Sequence, residues 1–328
     1  MNDPKDMPID VAEVRAWLTA HKDATGRSWK AIADESGIKQ GTLSAWVYPS
    51  YQGNAENVAR LVIKYRQLVD SQREQAAAEQ KAGLRAEPGY LETPTALRVR
   101  ALLTIAHRGA MTLAAMGPGT SKTATAQNYS ACIANVLMIT IRPTKNSVAA
   151  MVADVVRAMG GKSGSGWVRQ LSDQVIDHAR GRNMLLIVDE ANHLETAALE
   201  ELRAWHDIAG LGICLLGNEE LLARIRSGGH SRHAFARLNS RIAMSHVQDL
   251  PLDEDVEMYL DGWGISNAEQ RTRLRQIAMT PGAGGLREIK QIVSHASMLA
   301  LDDGVPLALT HIREAMGTRA TSRLRIVS

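Results

Sequence analysis

A mostly parallel α/β core set between two all-helical parts is the fold class this sequence predicts, on three observations. Apolar strand-like runs alternate with amphipathic helical stretches between residues 94 and 248, as in sheets covered on both faces. One such run, Met111–Met116, leads into a glycine-containing loop that closes on Lys122-Thr123, and another ends on Asp189-Glu190. The flanking segments, residues 1–70 and 249–328, carry helical periodicity only.

Composition narrows the class. The 328 residues are 45% hydrophobic and 22% charged, an ordinary globular balance that accommodates two or three domains. Phe235 is the single phenylalanine, so aliphatic side chains and methionine must fill the cores. No apolar run approaches the roughly 18 residues of a membrane helix, and the N-terminus lacks a signal-peptide pattern. The expectation is a cytoplasmic protein without a membrane partner. Cys132 and Cys214 stand apart in apolar, strand-like stretches without metal-ligand spacing, and both are expected in the core. A net charge of +3 permits a polyanionic partner without demanding one.

Residues 1–70 read as a small helical unit. Val11, Val14, Trp17 and Leu18 recur at helical spacing in a first helix ending near His21-Lys22. A second runs from near Ser28 to Ser36-Gly37, and Gln40–Val47 suits a short third. Two short helices around a glycine turn form a helix-turn-helix pattern. In it Gln40, Thr42 and Ser44 would face base edges and Lys39 a phosphate; a protein-interaction module has the same shape. Nine basic and nine acidic side chains in residues 1–70 leave no strong field to favour DNA. Asn54–Val69 reads as a further helix, and residues 71–93 as a polar, helical or flexible linker broken at Glu87-Pro88-Gly89.

The core spans residues 94–248. Thr95–Arg108 reads as a helix, Met111–Met116 as a strand, Thr123–Ser130 as a helix, and Val136–Ile141 as a fully apolar strand. Helices over Ser147–Met159 and Trp167–Arg180 precede the strand Met184–Glu190; after another helix comes the strand Gly212–Asn218. In such sheets ligands bind at the carboxyl ends of the strands, where the glycine loop, Asp189-Glu190 and Asn218 all fall.

The loop Gly117-Pro118-Gly119-Thr120-Ser121-Lys122-Thr123 reads as a phosphate cradle: backbone N–H groups and a helix start surround phosphates, Lys122 meets the outer ones and Thr123 a Mg²⁺ ion. The usual pattern has glycine where Met116 and Ser121 stand. A Cβ at Ser121 penalises the conformation glycine adopts there, so slow hydrolysis is expected more than lost binding. Asp189 suits a Mg²⁺ carboxylate and Glu190 a base that orients water. Asn218 would position water or phosphate, or cap a turn. Arg237 and Arg241 offer the cation that transition-state charge requires, from a neighbouring subunit, or are surface charges paired within their own.

Residues 249–328 read as helices over Glu254–Gly262, Ala268–Met279, Leu286–Leu301 and Leu309–Met316, then a basic tail with Arg319, Arg323 and Arg325. Arg287 sits in a first helical turn, poorly placed for that helix's dipole, which points to an external anion.

Together these residues resemble those of AAA+ ATPases, and the order of the whole chain is similar to that of the phage Mu transposition protein B family. The stretches that carry the likeness are Ile32–Gly37 with Gly41–Ser44, Gly119–Thr123, Ile187–Leu194, Leu216-Gly217-Asn218, Phe235–Leu238 with Ser240-Arg241-Ile242, and Pro281-Gly282-Ala283. The resemblance implies an AAA+ P-loop NTPase core with a helix-turn-helix N-terminal domain and an α-helical C-terminal domain. It implies an ATPase, DNA-stimulated and slow, that uses ATP and Mg²⁺. It further implies nonspecific binding of double-stranded DNA, self-association into a helical filament on it, and delivery of that DNA to a DDE-type transposase in a bacterial host. ATP would sit between subunits, with Lys122, Thr123, Asp189, Glu190, Asn218 and Arg287 on one side and an arginine from the next. Lys145, Lys162 and Arg169 become candidate DNA-facing cations. Two other readings compete: a helix-turn-helix AAA+ regulator or loader acting at a specific DNA site, and a nucleotide-binding interaction protein without hydrolysis.

Overall fold

The computed structural model describes residues 9–81, 87–161, 167–227 and 232–326, in two compact units, Met1–Lys81 and Ala82–Ser328. The candidate Lys162 lies outside the described residues.

The first unit consists of α1 (Val11–Thr25), α2 (Trp29–Ser36), α3 (Gln40–Trp46) and α4 (Ala55–Lys81). Asp10 caps α1 through its carboxylate, and Ser28 caps α2. Gly26 and Gly37 end these helices in the left-handed conformation. The first helix therefore runs past the expected end at His21-Lys22, because Gly26 is the first residue suited to that stop. His21 is buried, stacks on Trp17 and bonds the Tyr65 hydroxyl at 3.2 Å. Leu18, Ile32, Leu43, Trp46 and Val62 fill the core, and Trp46 Nε1 donates to Ala55 O at 3.0 Å. α4 continues beyond Val69 to Lys81, through Ala, Gln, Glu and Lys residues that favour helix without needing a buried face.

The second unit holds, among the described residues, a five-stranded parallel sheet in the order β2-β3-β4-β1-β5. The strands are β1 (Met111–Met116), β2 (Val136–Thr140), β3 (Leu185–Asp189), β4 (Gly212–Gly217) and β5 (Ile242–Gln248). The intervening helices are α5 (Pro94–His107), α6 (Lys122–Cys132), α7 (Val148–Ala158), α8 (Val168–Ala179), α9 (Thr196–Ala209), α10 (Glu219–Ser227) and α11 (Arg232–Asn239). Alternate residues of β3 and β4 enter two separate cores. Leu186, Val188, Ile213 and Leu215 pack with α7, α8 and α9 side chains, whereas Leu185, Ile187, Cys214 and Leu216 pack with those of α5 and α6. Burial on both faces is why the sequence of these strands is a continuous apolar run.

Two expectations, for Cys132 and for the end of the last helix, are corrected here. β2 is only partly buried, because it is an edge strand with one neighbour. Cys132 is exposed at the end of α6 rather than in the core, while Cys214 is buried and its thiol is pushed up to about 12 by desolvation. The last helix does not stop at Met316.

The helices that complete the unit are α12 (Asp253–Gly262), α13 (Ala268–Ala278), α14 (Leu286–Asp302) and α15 (Leu309–Ile326), around Val256, Leu260, Leu274, Ile289, Val293 and Ile312. Asp255 of α12 is buried and accepts from Thr95 N at 2.9 Å, Leu252 N at 2.7 Å and the Thr95 hydroxyl. A buried carboxylate with three donors ties α12 to the start of α5. No described helix is long and apolar enough to cross a membrane.

Candidate nucleotide site

The glycine loop leaves β1 at the carboxyl edge of the sheet. Met116 is buried among apolar side chains, so the strand end gains a packed side chain where the pattern has glycine. Gly117 N donates to Gln248 O at 2.9 Å, and a Cβ on Gly117 would lie 1.9 Å from Asp249 O. Gly119 has φ +71°, and its Cβ position is 3.0 Å from Gly285 Cα. Leu286 N donates to Gly119 O at 2.9 Å, and Gly285 (φ +89°) faces Pro118 O. These three glycines let the loop lie directly against β5 and the start of α14.

Ser121 occupies the left-handed region, with φ 65° and ψ 7°. Four non-glycine residues among those described do so, and two of them, Asn135 and Asn183, are of a type that tolerates it. The other two are Ser121 and Glu190 (φ 55°), both at this site. Each carries a penalty of roughly 1–2 kcal/mol that surrounding structure must hold in place.

The crossover from β1 to β2 spans β4 and β3, and it brings Thr123 in α6 against Asp189 at the end of β3. Thr123 Oγ1 donates to Asp189 Oδ2 at 3.0 Å, and Glu190 N donates to Asp189 Oδ1 at 3.0 Å. Asp189 is 2% exposed; burial raises its carboxyl above the usual range, against the opposing pull of Thr123 and the Glu190 amide. Lys122 Nζ lies 3.1 Å from Met116 O and 3.4 Å from Gly117 O. Burial lowers its ammonium pKa, Glu190 and Asp189 oppose that, and Arg287 adds to it. A desolvated ammonium at a glycine loop suits a polyanion, and a buried carboxylate beside a hydroxyl suits a hard divalent cation. Among the described residues no group of three His, Cys, Asp or Glu side chains could hold a metal, so any ion here needs ligands from phosphate and water.

A cleft of about 940 Å³ opens over the loop, walled by Glu87–Leu91, Thr93, Gly119–Ala124, Gln127, Tyr259, Arg287 and Lys290. Lys290 Nζ pairs with Glu87 Oε1 at 2.7 Å across it. Residues 87–93, assigned above to a linker, are thus a wall of the cleft. Their sequence gives no sign of this, because the partner of Glu87, Lys290, lies far along the chain in α14.

Gly119, Thr120, Ser121, Lys122, Thr123 and Arg287 line the cleft, and Asp189 and Glu190 join them through Thr123 and Lys122; Asn218, Arg237 and Arg241 do not line it. Asn218 caps α10, its Oδ1 accepting from Glu220 N at 3.1 Å. Arg237 pairs with Glu200 at 3.1 Å and Arg241 with Asp207 at 2.8 Å, within the same subunit. Of the DNA candidates, Lys39 and Gln40 are exposed at the start of α3, whereas Thr42 and Ser44 are half-buried, with Ser44 Oγ donating to Gly41 O. Lys145 is half-buried in the turn after β2, and Arg169 is exposed in α8 beside Trp167, itself 83% exposed.

Comparison with known proteins matches residues 106–225 to the AAA domain family and residues 240–318 to the family described as Mu B transposition protein, C terminal. ATP-dependent target DNA activator B of Escherichia phage Mu is 30% identical over 308 residues, 94% of this chain and 95% of that protein. The Mu-like prophage FluMu DNA transposition protein B of Haemophilus influenzae is 30% identical over 261 residues, 79% of this chain and 88% of that one. Drosophila ORC bound to DNA is similar in fold, with a TM-score of 0.52 and 15% identity over 73% of this chain and 64% of that one.

Proposed function

Because this chain belongs to the Mu B transposition protein family, we propose that it is an ATP-dependent target-DNA activator: an ATPase that coats double-stranded DNA of arbitrary sequence and delivers it to a transposase. The observation that carries this reading is the Thr123–Asp189–Glu190 junction beside desolvated Lys122, with Ser121 of the loop and Glu190 both in the left-handed backbone region.

In this role Lys122 holds the outer phosphates of ATP, and Thr123 and Asp189 hold Mg²⁺, which when bound neutralises phosphate charge. Glu190 orients the attacking water and takes its proton. Arg287 adds positive charge from α14, and Arg241 is supplied to the cleft of the neighbouring subunit in a filament. Asn218, fixed as a helix cap, acts through its amide on water or phosphate. Lys39, Gln40, Thr42, Ser44, Lys145, Lys162 and Arg169 are the side chains assigned to DNA; cationic contacts to phosphate make that binding fall steeply with salt.

Nuclease footprinting and electron microscopy on unrelated duplexes test the proposal. ATP-dependent protection of any duplex, seen as polymer on DNA and lost at high salt, is expected. Protection of one short site instead would identify a site-specific regulator, and absence of ATP-dependent polymer would refute the reading.

A further inference from the structure

Outside the cleft, a ladder of alternating charge runs along α9. Its axis begins just after Asp189-Glu190 and the short turn Ala191–His193, and buried Ala198, Leu199, Leu202 and Trp205 pin it to the core. Glu200, Arg203 and Asp207 follow at helical-turn spacing on its outer side. Arg203 bridges the two acids, at 3.4 Å and 2.6 Å. Arg237 of α11 meets Glu200 through a single contact and is 61% exposed. Arg241, immediately ahead of β5, is gripped at two points: Nε to Asp207 Oδ1 at 2.8 Å and Nη2 to Asp207 Oδ2 at 3.5 Å, with Nη1 on Ser240 Oγ at 3.2 Å.

We infer that Asp207 is a positioning residue for the arginine donated in trans: it holds one edge of the Arg241 guanidinium so that the remaining N–H groups point at phosphoryl charge in the next subunit. The inference rests on the intersubunit site proposed above. A carboxylate fork fixes a guanidinium in plane and in rotation, which one contact does not. Ion pairs this exposed add little to stability, so the two-point grip matters for geometry. Arg241 holds the Asp207 carboxyl below the usual carboxylate range, so the fork stays charged at neutral pH. Ile208, next to Asp207 in α9, and Met244, three residues after Arg241 in β5, are both exposed and offer apolar surface suited to a second copy of this chain.

The test is steady-state ATP turnover of the full chain assembled on duplex DNA, with assembly followed by electron microscopy. Arg241→Ala is expected to lower kcat about 1,000-fold, the scale of a lost arginine finger. Asp207→Ala should lower kcat roughly tenfold with KM unchanged, a fraction of the full finger effect. Asp207→Asn, which keeps an acceptor for the Nε hydrogen, should recover most of the rate. Asp207→Ala should add nothing in the Arg241→Ala background. Wild-type kcat in Arg241→Ala removes the trans arginine and the proposed site with it. A slow Arg241→Ala beside an unchanged or faster Asp207→Ala, an additive double variant, or failure of both Asp207 variants to assemble overturns the role of Asp207 alone.

Discussion

Lys122 and Arg241 are both cations assigned to the same phosphates, yet the protein builds their surroundings on opposite terms. Lys122 is desolvated under a loop clamped by Gly117 against β5 and by Gly119 against Gly285. Arg241 stands on a solvated edge, 45% exposed, held by one carboxylate. The first arrangement is built from the backbone and side chains of one subunit. The second, in the proposed function, presents a group whose target lies outside its own subunit. Under the proposed function the contrast separates binding from turnover: one half of the chemistry is assigned to a single chain, the other to a pair.

Substitutions that strike one half and spare the other break or sharpen that contrast. The largest effect is expected from Lys122→Ala, which should weaken ATP binding to the unassembled chain at least about 100-fold, about 2.7 kcal/mol. Arg241→Ala should leave that affinity unchanged; calorimetric titration of both variants decides, and an equal loss in both would erase the distinction. Gly285→Ala comes next. Its Cβ would lie 2.5 Å from Pro118 O at a backbone φ of +89°, so the loop or α14 must shift. A loss of about 1–3 kcal/mol in thermal unfolding, with several-fold weaker nucleotide binding, is expected from strain of this kind. The smallest change is Ser121→Gly. It relieves about 1 kcal/mol of left-handed strain and removes no side-chain cap, so melting should rise by about 2–4 °C and ATP binding should tighten up to about fivefold. A melting point and affinity equal to wild type would show that neighbouring contacts already absorb the strain.

The fold is largely legible in the order of side chains. Met111–Met116 as β1 follows from its apolar run, and the starts of β2 and β4 likewise coincide with the first residues of theirs. Helix ends are less legible: α1, α4 and α15 all run past the point where apolar periodicity stops, because continuation depends on helix propensity and, in α1, on the left-handed stop at Gly26. In the site, Lys122, Thr123, Asp189 and Glu190 were legible because residue type and strand-end position alone place them on one rim. Thr93, Tyr90, Lys290 and the Asp207–Arg241 grip were not, since each depends on partners far away in the chain.

By itself, then, the sequence determined the alternation of buried strands and covering helices, and the acid pair and the phosphate loop at their ends. Periodicity and short-range chemistry act within a few residues, and they are written directly in the order of side chains. Only the tertiary structure decided that Ser121 takes a left-handed backbone, that residues 87–93 wall the cleft, and that Arg241 rests on Asp207. Those outcomes arise from close packing between segments distant in the chain, where a neighbour's carbonyl or carboxylate, rather than the residue's own preference, sets the conformation.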